Sequence, residues 1–255
     1  MKQSNKKELM LFHLKPLILA LVMFFGYELI AYRWEIVFWV LGALLIVVTF
    51  GVNFILKSWR ISGLPTLYFI GTSTLVFFVS GGWFMQFYII VATAGYYLLL
   101  LSIYRLTFNK RDLISRRIEY MITLGVVFVW SASLFAIYLN RNIGIWVISL
   151  VLYAVVLLAT RQAIETMVFR KELNYWLFSF IIAYCMGVLC WGMYFLPFGY
   201  LTLASLMLAS YYILTNYIVS NLRSAFNRKI FLIDVAVFFV TVGLVLASAR
   251  WMIFE

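Results

Sequence analysis

The chain has 255 residues, of which 66% are hydrophobic, 20% aromatic and only 11% charged, with a formal net charge of +11. A soluble domain carries roughly 25% charged residues to keep its surface hydrated, so this composition excludes a water-soluble globule and makes lipid the solvent. Nine candidate spans of about 20 residues use roughly 180 residues, which leaves no room for an extramembrane domain.

The spans follow one another between short charged or Gly/Pro-marked joints. After a basic segment, 1–15, the first covers 16–32 and stops at Arg33-Trp34-Glu35. The second, 36–56, ends at Lys57-Ser58-Trp59-Arg60, and the third, 64–80, turns at Gly81-Gly82-Trp83 into the fourth, 84–104. A basic joint, 105–118, leads to the fifth, 119–139, and Asn140-Arg141-Asn142 separates it from the sixth, 143–159. The seventh, 173–196, ends at Pro197-Phe198-Gly199; the eighth covers 201–221 and the ninth 230–249, with 250–255 beyond it. The runs are continuously apolar and twice the length of a tilted barrel strand, without an alternating polar face, so they are helices. The fold expected is all-α, a single polytopic transmembrane bundle over 16–249. Pro16, Pro65 and Pro197 lie at span ends, where a first turn or a loop tolerates the missing N–H.

Charge orients these spans. With the N-terminus inside, the inner segments hold 17 of the 20 basic residues, and only Arg33, Arg141 and Arg250 fall outside. Adding or omitting one internal span would destroy that bias, so nine spans with N-in/C-out topology are expected. The +11 charge then retains loops at the cytoplasmic face and meets anionic head groups; spread over five joints, it does not form a nucleic-acid surface. The apolar run after Lys6-Lys7 has no small-x-small cleavage site, and the first span reads as a retained anchor. Trp34, Trp59, Trp83, Trp146, Trp176 and Trp251 fall near span ends as an interfacial belt does, whereas Trp130 belongs inside the bundle.

Small residues four apart mark faces where helices approach closely. Ser179, Ala183 and Gly187 form the longest such seam, with weaker pairs at Ala132/Ala136, Ser205/Ala209 and Gly243/Ala247. Each serves either packing within the bundle or a homo-oligomer.

Chemistry is sparse. His13 is the only histidine, which removes bis-His haem ligation, di-metal centres and histidine-based dyads. Cys185 and Cys190 stand about 140° apart on one helix and cannot bond to each other. The aspartates are only Asp112 and Asp234, too few for a clustered Mg²⁺-diphosphate site. No span contains a lysine for a Schiff base, and no glycine-rich phosphate loop is present. No catalytic residue, cofactor or metal site is therefore expected. Two carboxylates lie at membrane depth, where such groups are costly and default to function. Glu28 is about one turn from one end of the first span; Arg33, Arg141 or Arg250 could pair with it. Asp234 resembles Glu119 and Glu172 in following a basic pair at a helix start, where an acid suits the helix dipole. Asn53, Gln86, Thr93, Asn174 and Asn216 are expected to join helices by hydrogen bonds.

The segment Leu196-Pro197-Phe198-Gly199-Tyr200-Leu201-Thr202, the pair Tyr211-Tyr212, the joint 223–229 and Ala249-Arg250-Trp251 resemble a family of small polytopic bacterial membrane proteins to which no activity is attached. The resemblance covers the last sixty residues or so. It implies a bacterial inner-membrane protein and brings no catalytic residue. The leading expectation is a non-enzymatic membrane component, an assembly partner or a binder of lipid-like molecules. Its rival is a small-solute or proton-coupled transporter using Glu28, with Asp234 as second candidate.

Overall fold

A computed structural model describes residues 2–32, 37–56, 63–79, 82–109, 112–141, 143–168, 174–223 and 228–248; the side chains of 2–12, 55, 56 and 230 lie outside that description. Its elements are all helices: α1 (Lys2–Tyr32), α2 (Val37–Leu56), α3 (Gly63–Val76), α4 (Gly82–Phe108), α5 (Leu113–Arg141), α6 (Ile145–Met167), α7 (Tyr175–Met193), α8 (Tyr200–Leu222) and α9 (Arg228–Ser248). All except α3 contain a stretch long and apolar enough to cross a bilayer. The protein is a multi-pass membrane protein built as a polytopic helical bundle, the arrangement in which each segment satisfies its own backbone.

Several helices outrun the apolar spans that announced them. A charged residue ends a hydrophobic run without ending a helix, because Lys, Arg and Glu are good helix formers. Thus α5 starts at Leu113 and α6 continues to Met167, which brings Arg161 inside a helix. At α1 this changes an assignment: the helix starts at Lys2, so Pro16 is an interior proline and not a first-turn residue. Of the acids expected near helix starts, Glu119 and Asp234 lie in the second turn of α5 and α9, and Glu172 lies outside the described residues. No acidic residue occupies the first turn of α5, α7 or α9.

The third span departs most. Helix α3 has 14 residues, about 21 Å of rise, against a hydrocarbon core of about 30 Å. Thr72, Ser73 and Thr74 return their hydroxyls to the carbonyls of Tyr68, Phe69 and Ile70. The chain then turns at Phe77-Phe78, ahead of Gly81-Gly82. Such local hydroxyl bonds and a closing glycine pair weaken helix continuation.

Within the 16–249 bundle the helices gather into two compact units, 1–122 and 123–255, with α5 running from one into the other. In the first unit α3 packs against α1, α2 and α4, burying nine of its residues, among them Tyr68, Phe69, Thr72 and Ser73. Close approach of α1 and α2 is set by glycine: Gly26 lies against Leu44 and Gly51 against Leu19.

In the second unit α6 and α7 form the closest pair. Ser179 and Ala183 are fully buried, and a Cβ on Gly187 would meet Tyr153 Cβ at 3.8 Å and the Ser149 carbonyl at 4.0 Å. The seam therefore lies against α6 of the same chain. Ala132 and Ala136 are buried in α5, and Trp130 packs half-buried against the core of this unit. Gly243 has nothing within 4 Å of a Cβ position, and no residue of the α9 span is buried. Trp83 and Trp146 are exposed, Trp83 at 91%. Arg33, Trp34, Lys57, Trp59, Arg60, Lys110, Arg111, Arg170, Lys171, Glu172, Arg250 and Trp251 lie outside the described residues.

Candidate functional site

In the first unit, polar side-chain contacts line the α1–α3–α4 seam. At one end Gln86 of α4 donates its amide to the Glu28 carboxylate at 3.2 Å. At the other end His13 Nδ1 meets the Tyr97 hydroxyl at 3.1 Å. These two contacts fix α1 and α4 antiparallel.

Between the ends stands a ladder of hydroxyls. Tyr27 of α1, fully buried, bonds Thr72 of α3, and its ring stacks on Phe69 with centroids 6.2 Å apart. Tyr88 of α4 donates to the Thr72 carbonyl at 3.0 Å. Tyr68 reaches across to donate to the Ala92 carbonyl at 2.9 Å. Gly95 makes this reach possible, because a Cβ there would collide with the Tyr68 hydroxyl. Tyr68 also lies against Tyr96, ring centroids 6.1 Å apart.

Three polar groups on this side of the unit have no hydrogen-bond partner: both amide atoms of Asn53, the Thr93 hydroxyl and the Tyr96 hydroxyl, all buried. Asn53 and Thr93 were expected to tie helices together, and they do not. Gln86 does, through Glu28.

Glu28 is half-buried, and no described basic residue of α1 to α4 is near it. Lys15 is 13 positions back on α1, about 20 Å of helix. The one basic residue of α4, Arg105, is 19 positions beyond Gln86, about 28 Å. Helices α2 and α3 contain no charged residue. Of the arginines considered for Glu28, Arg141 belongs to the second unit, while Arg33 and Arg250 lie outside the described residues.

Asp234 occupies the second unit. It is half-buried in the second turn of α9 and accepts a long hydrogen bond, 3.4 Å, from the Tyr212 hydroxyl of α8. Glu119 is the residue that sequence reasoning underrated. Taken for a span-start acid, it lies in the second turn of α5 with 1% of its surface exposed. Ser115 and Thr123, four residues to either side, are also buried. That i, i+4, i+8 polar stripe was its signal.

Basic residues of the second unit make defined contacts at one end. The Arg161 guanidinium lies 4.0 Å over the Trp176 ring, and Arg223 donates to the Met167 carbonyl at 3.0 Å, closing the end of α6. In the joint before α5, Asp112 accepts from the Ser115 hydroxyl at 2.7 Å and the Ile114 amide at 3.1 Å. These bonds, the Ser115 hydroxyl first, hold its carboxyl below the usual aspartate value. Cys185 and Cys190 are free thiols, and no group of three His, Cys, Asp or Glu side chains suited to a metal occurs among the described residues.

No family model matches the chain, no curated protein matches it, and no solved structure matches it.

Proposed function

We propose that the protein is a non-enzymatic carrier of the cell membrane, with topology N-in/C-out, that moves protons coupled to a small solute through its first unit. Glu28 is the titrating group. One observation carries this reading: a carboxylate at membrane depth whose described partner is the neutral Gln86 amide, with no described base of α1 to α4 within about 20 Å along its helix. An ion pair would fix the charge of Glu28 in place; an amide donor tolerates both its protonated and its ionised form. The Tyr27, Thr72, Tyr88 and Tyr68 hydroxyls supply polar groups along the same seam.

The longest small-residue seam, Ser179 to Gly187, is consumed by α6 within the chain. Asp234, joined to Tyr212, is the second candidate for proton handling. Anionic head groups are the partners proposed for the basic residues of the inner face, at about 1 kcal/mol for each one close to the surface. The family resemblance of the last sixty residues supports a bacterial inner membrane as the location.

The test is proton movement itself. Proteoliposomes with a trapped pH-sensitive dye are driven by a potassium diffusion potential, with a panel of small solutes supplied outside. Wild-type protein should acidify the lumen faster than protein-free vesicles do, and Glu28→Gln should remove most of the excess. If the excess survives in the Glu28→Gln/Asp234→Asn double variant, the mechanism is wrong.

A further inference from the structure

We infer that the edge where α6 meets α7 is a docking site for an aminophospholipid of the phosphatidylethanolamine type, with Arg161 on its phosphate and Glu165 on its ammonium group. The inference concerns the second unit and goes beyond the proton mechanism, which uses Glu28 in the first.

Position along α6 sets the depth of the two charges. Leu150, Ala154, Leu158 and Glu165 are exposed, and Arg161 is half-buried between Leu158 and Glu165 on the same stripe, since residues three and four apart share a helix face. Trp146, 70% exposed near the start of α6, marks the opposite interface. Arg161 is 15 positions beyond it, about 22 Å of helix, and Glu165 is one turn further. Against a hydrocarbon core of about 30 Å, Arg161 is rooted near the boundary, where its long side chain extends to the head groups. Glu165 is rooted one turn closer to water.

The two charges are spaced to pair and do not. Arg161 lies with its guanidinium 4.0 Å over the ring of Trp176, in the first turn of α7, which draws it away from the acid of its own helix. Neither Arg161 nor Glu165 makes an ion pair or a side-chain hydrogen bond among the described residues. Glu165 is also an acid in the last turn of α6, which holds no basic residue; an anion there opposes the helix dipole. A cation from outside the chain would relieve that cost, and an anion from outside would meet the open guanidinium donors.

Charge order identifies the lipid. In a phospholipid the phosphate is joined to the glycerol and lies nearer the hydrocarbon, and the amine lies beyond it. The protein offers the complementary order, a cation nearer the hydrocarbon and an anion one turn beyond. A guanidinium pairs with phosphate through its planar fork, and a carboxylate accepts the N–H bonds that a primary ammonium donates. A choline head group has no N–H for Glu165. A glycerol head group leaves the acid without a cation and brings a net negative charge beside it. Below the charges the edge is apolar: Leu150, Leu158 and Phe180 are exposed, and Phe180 of α7 packs edge-on against Tyr153 of α6, ring centroids 5.8 Å apart. Acyl chains can lie there.

The experiment titrates the full chain in detergent with phosphatidylethanolamine, phosphatidylcholine and phosphatidylglycerol of identical acyl chains, and counts bound lipid by native mass spectrometry. Wild-type protein should bind phosphatidylethanolamine about tenfold more tightly than either other lipid, the effect of one charge-assisted bond. Arg161→Gln should weaken uptake of all three. Glu165→Gln alters an exposed side chain without a contact in the protein, so it should fold as wild type does. It should abolish the preference for phosphatidylethanolamine and raise uptake of phosphatidylglycerol. Wild-type protein that binds phosphatidylcholine or phosphatidylglycerol as tightly as phosphatidylethanolamine overturns the inference. So does a preference that survives Glu165→Gln, or uptake unchanged in Arg161→Gln. The Glu165→Gln result is a ratio between lipids on one protein, so the test stands if Arg161→Gln fails to fold. Glu28→Gln should leave the lipid ratio intact, so the proton mechanism and the lipid site fail separately.

Discussion

At the scale of the residue, the informative contrast is between tyrosines that differ only in what their hydroxyls meet. Tyr27 and Tyr96 are both fully buried in the first unit. Tyr27 bonds Thr72, and Tyr96 bonds nothing. Tyr27→Phe should therefore cost about 1 kcal/mol of stability, the net worth of a typical buried hydrogen bond, while Tyr96→Phe should cost none. Melting of the two purified variants in one detergent checks this directly. Gly95 belongs to the same scale. Its missing side chain lets the Tyr68 hydroxyl pass against α4, so Gly95→Ala should overpack the site, displace Tyr68 from the Ala92 carbonyl and destabilise by about 1–3 kcal/mol. None of this was legible in the sequence. Tyr68, Tyr88 and Tyr96 are ordinary apolar-run residues there, and which hydroxyl finds a carbonyl depends on the neighbouring helix.

At the scale of the element, helix ends and seams carry the predictions. Asp112 stands just before α5 and accepts from Ser115 and Ile114. Its carboxyl is held below the ordinary value, so the folded state favours the ionised form. The resulting stabilisation is present above the unfolded aspartate value and is lost as pH falls through the lower folded value. Asp112→Ala should therefore melt below wild type at about pH 7, and the gap should close toward about pH 3; melting curves across that range measure it. The α7 seam was readable as small residues at spacing four, but its partner was not. Because Gly187 faces Tyr153 and Ser149 of α6, Gly187→Leu should destabilise by about 1–3 kcal/mol through overpacking. Gly187→Ala, which would make ordinary contacts, should be tolerated. A thermal stability in Gly187→Leu equal to wild type would disconnect the seam from α6. Helix lengths were misjudged in both directions for one reason: an apolar run reports where lipid is, while helix continuation is governed by propensity and by competing side-chain bonds. Hence α5 and α6 outrun their spans and α3 falls short of its own.

At the scale of the whole molecule, topology is the open quantity, and α3 makes it worth measuring. The 17-to-3 distribution of basic residues predicts an odd number of crossings, and among the described residues eight helices have full spanning length. On that reading the 14 residues of α3 complete a crossing with the help of the turn that follows. A C-terminal alkaline phosphatase fusion should consequently be active and a C-terminal green fluorescent protein fusion dark. The reverse pattern would mean that α3 does not cross. The sequence alone determined that lipid is the solvent, that the fold is a helical bundle, and that Glu28 and Asp234 lie where carboxylates are rare. Those conclusions follow from composition, run length and charge, which are properties of the chain in order. Only the tertiary structure decided that Glu28 meets an amide, that the α7 seam is used internally, that Glu119 is buried, and that the polar atoms of Asn53, Thr93 and Tyr96 are buried without partners. Each depends on which helix faces which and at what register, and apolar runs of similar composition do not encode that locally.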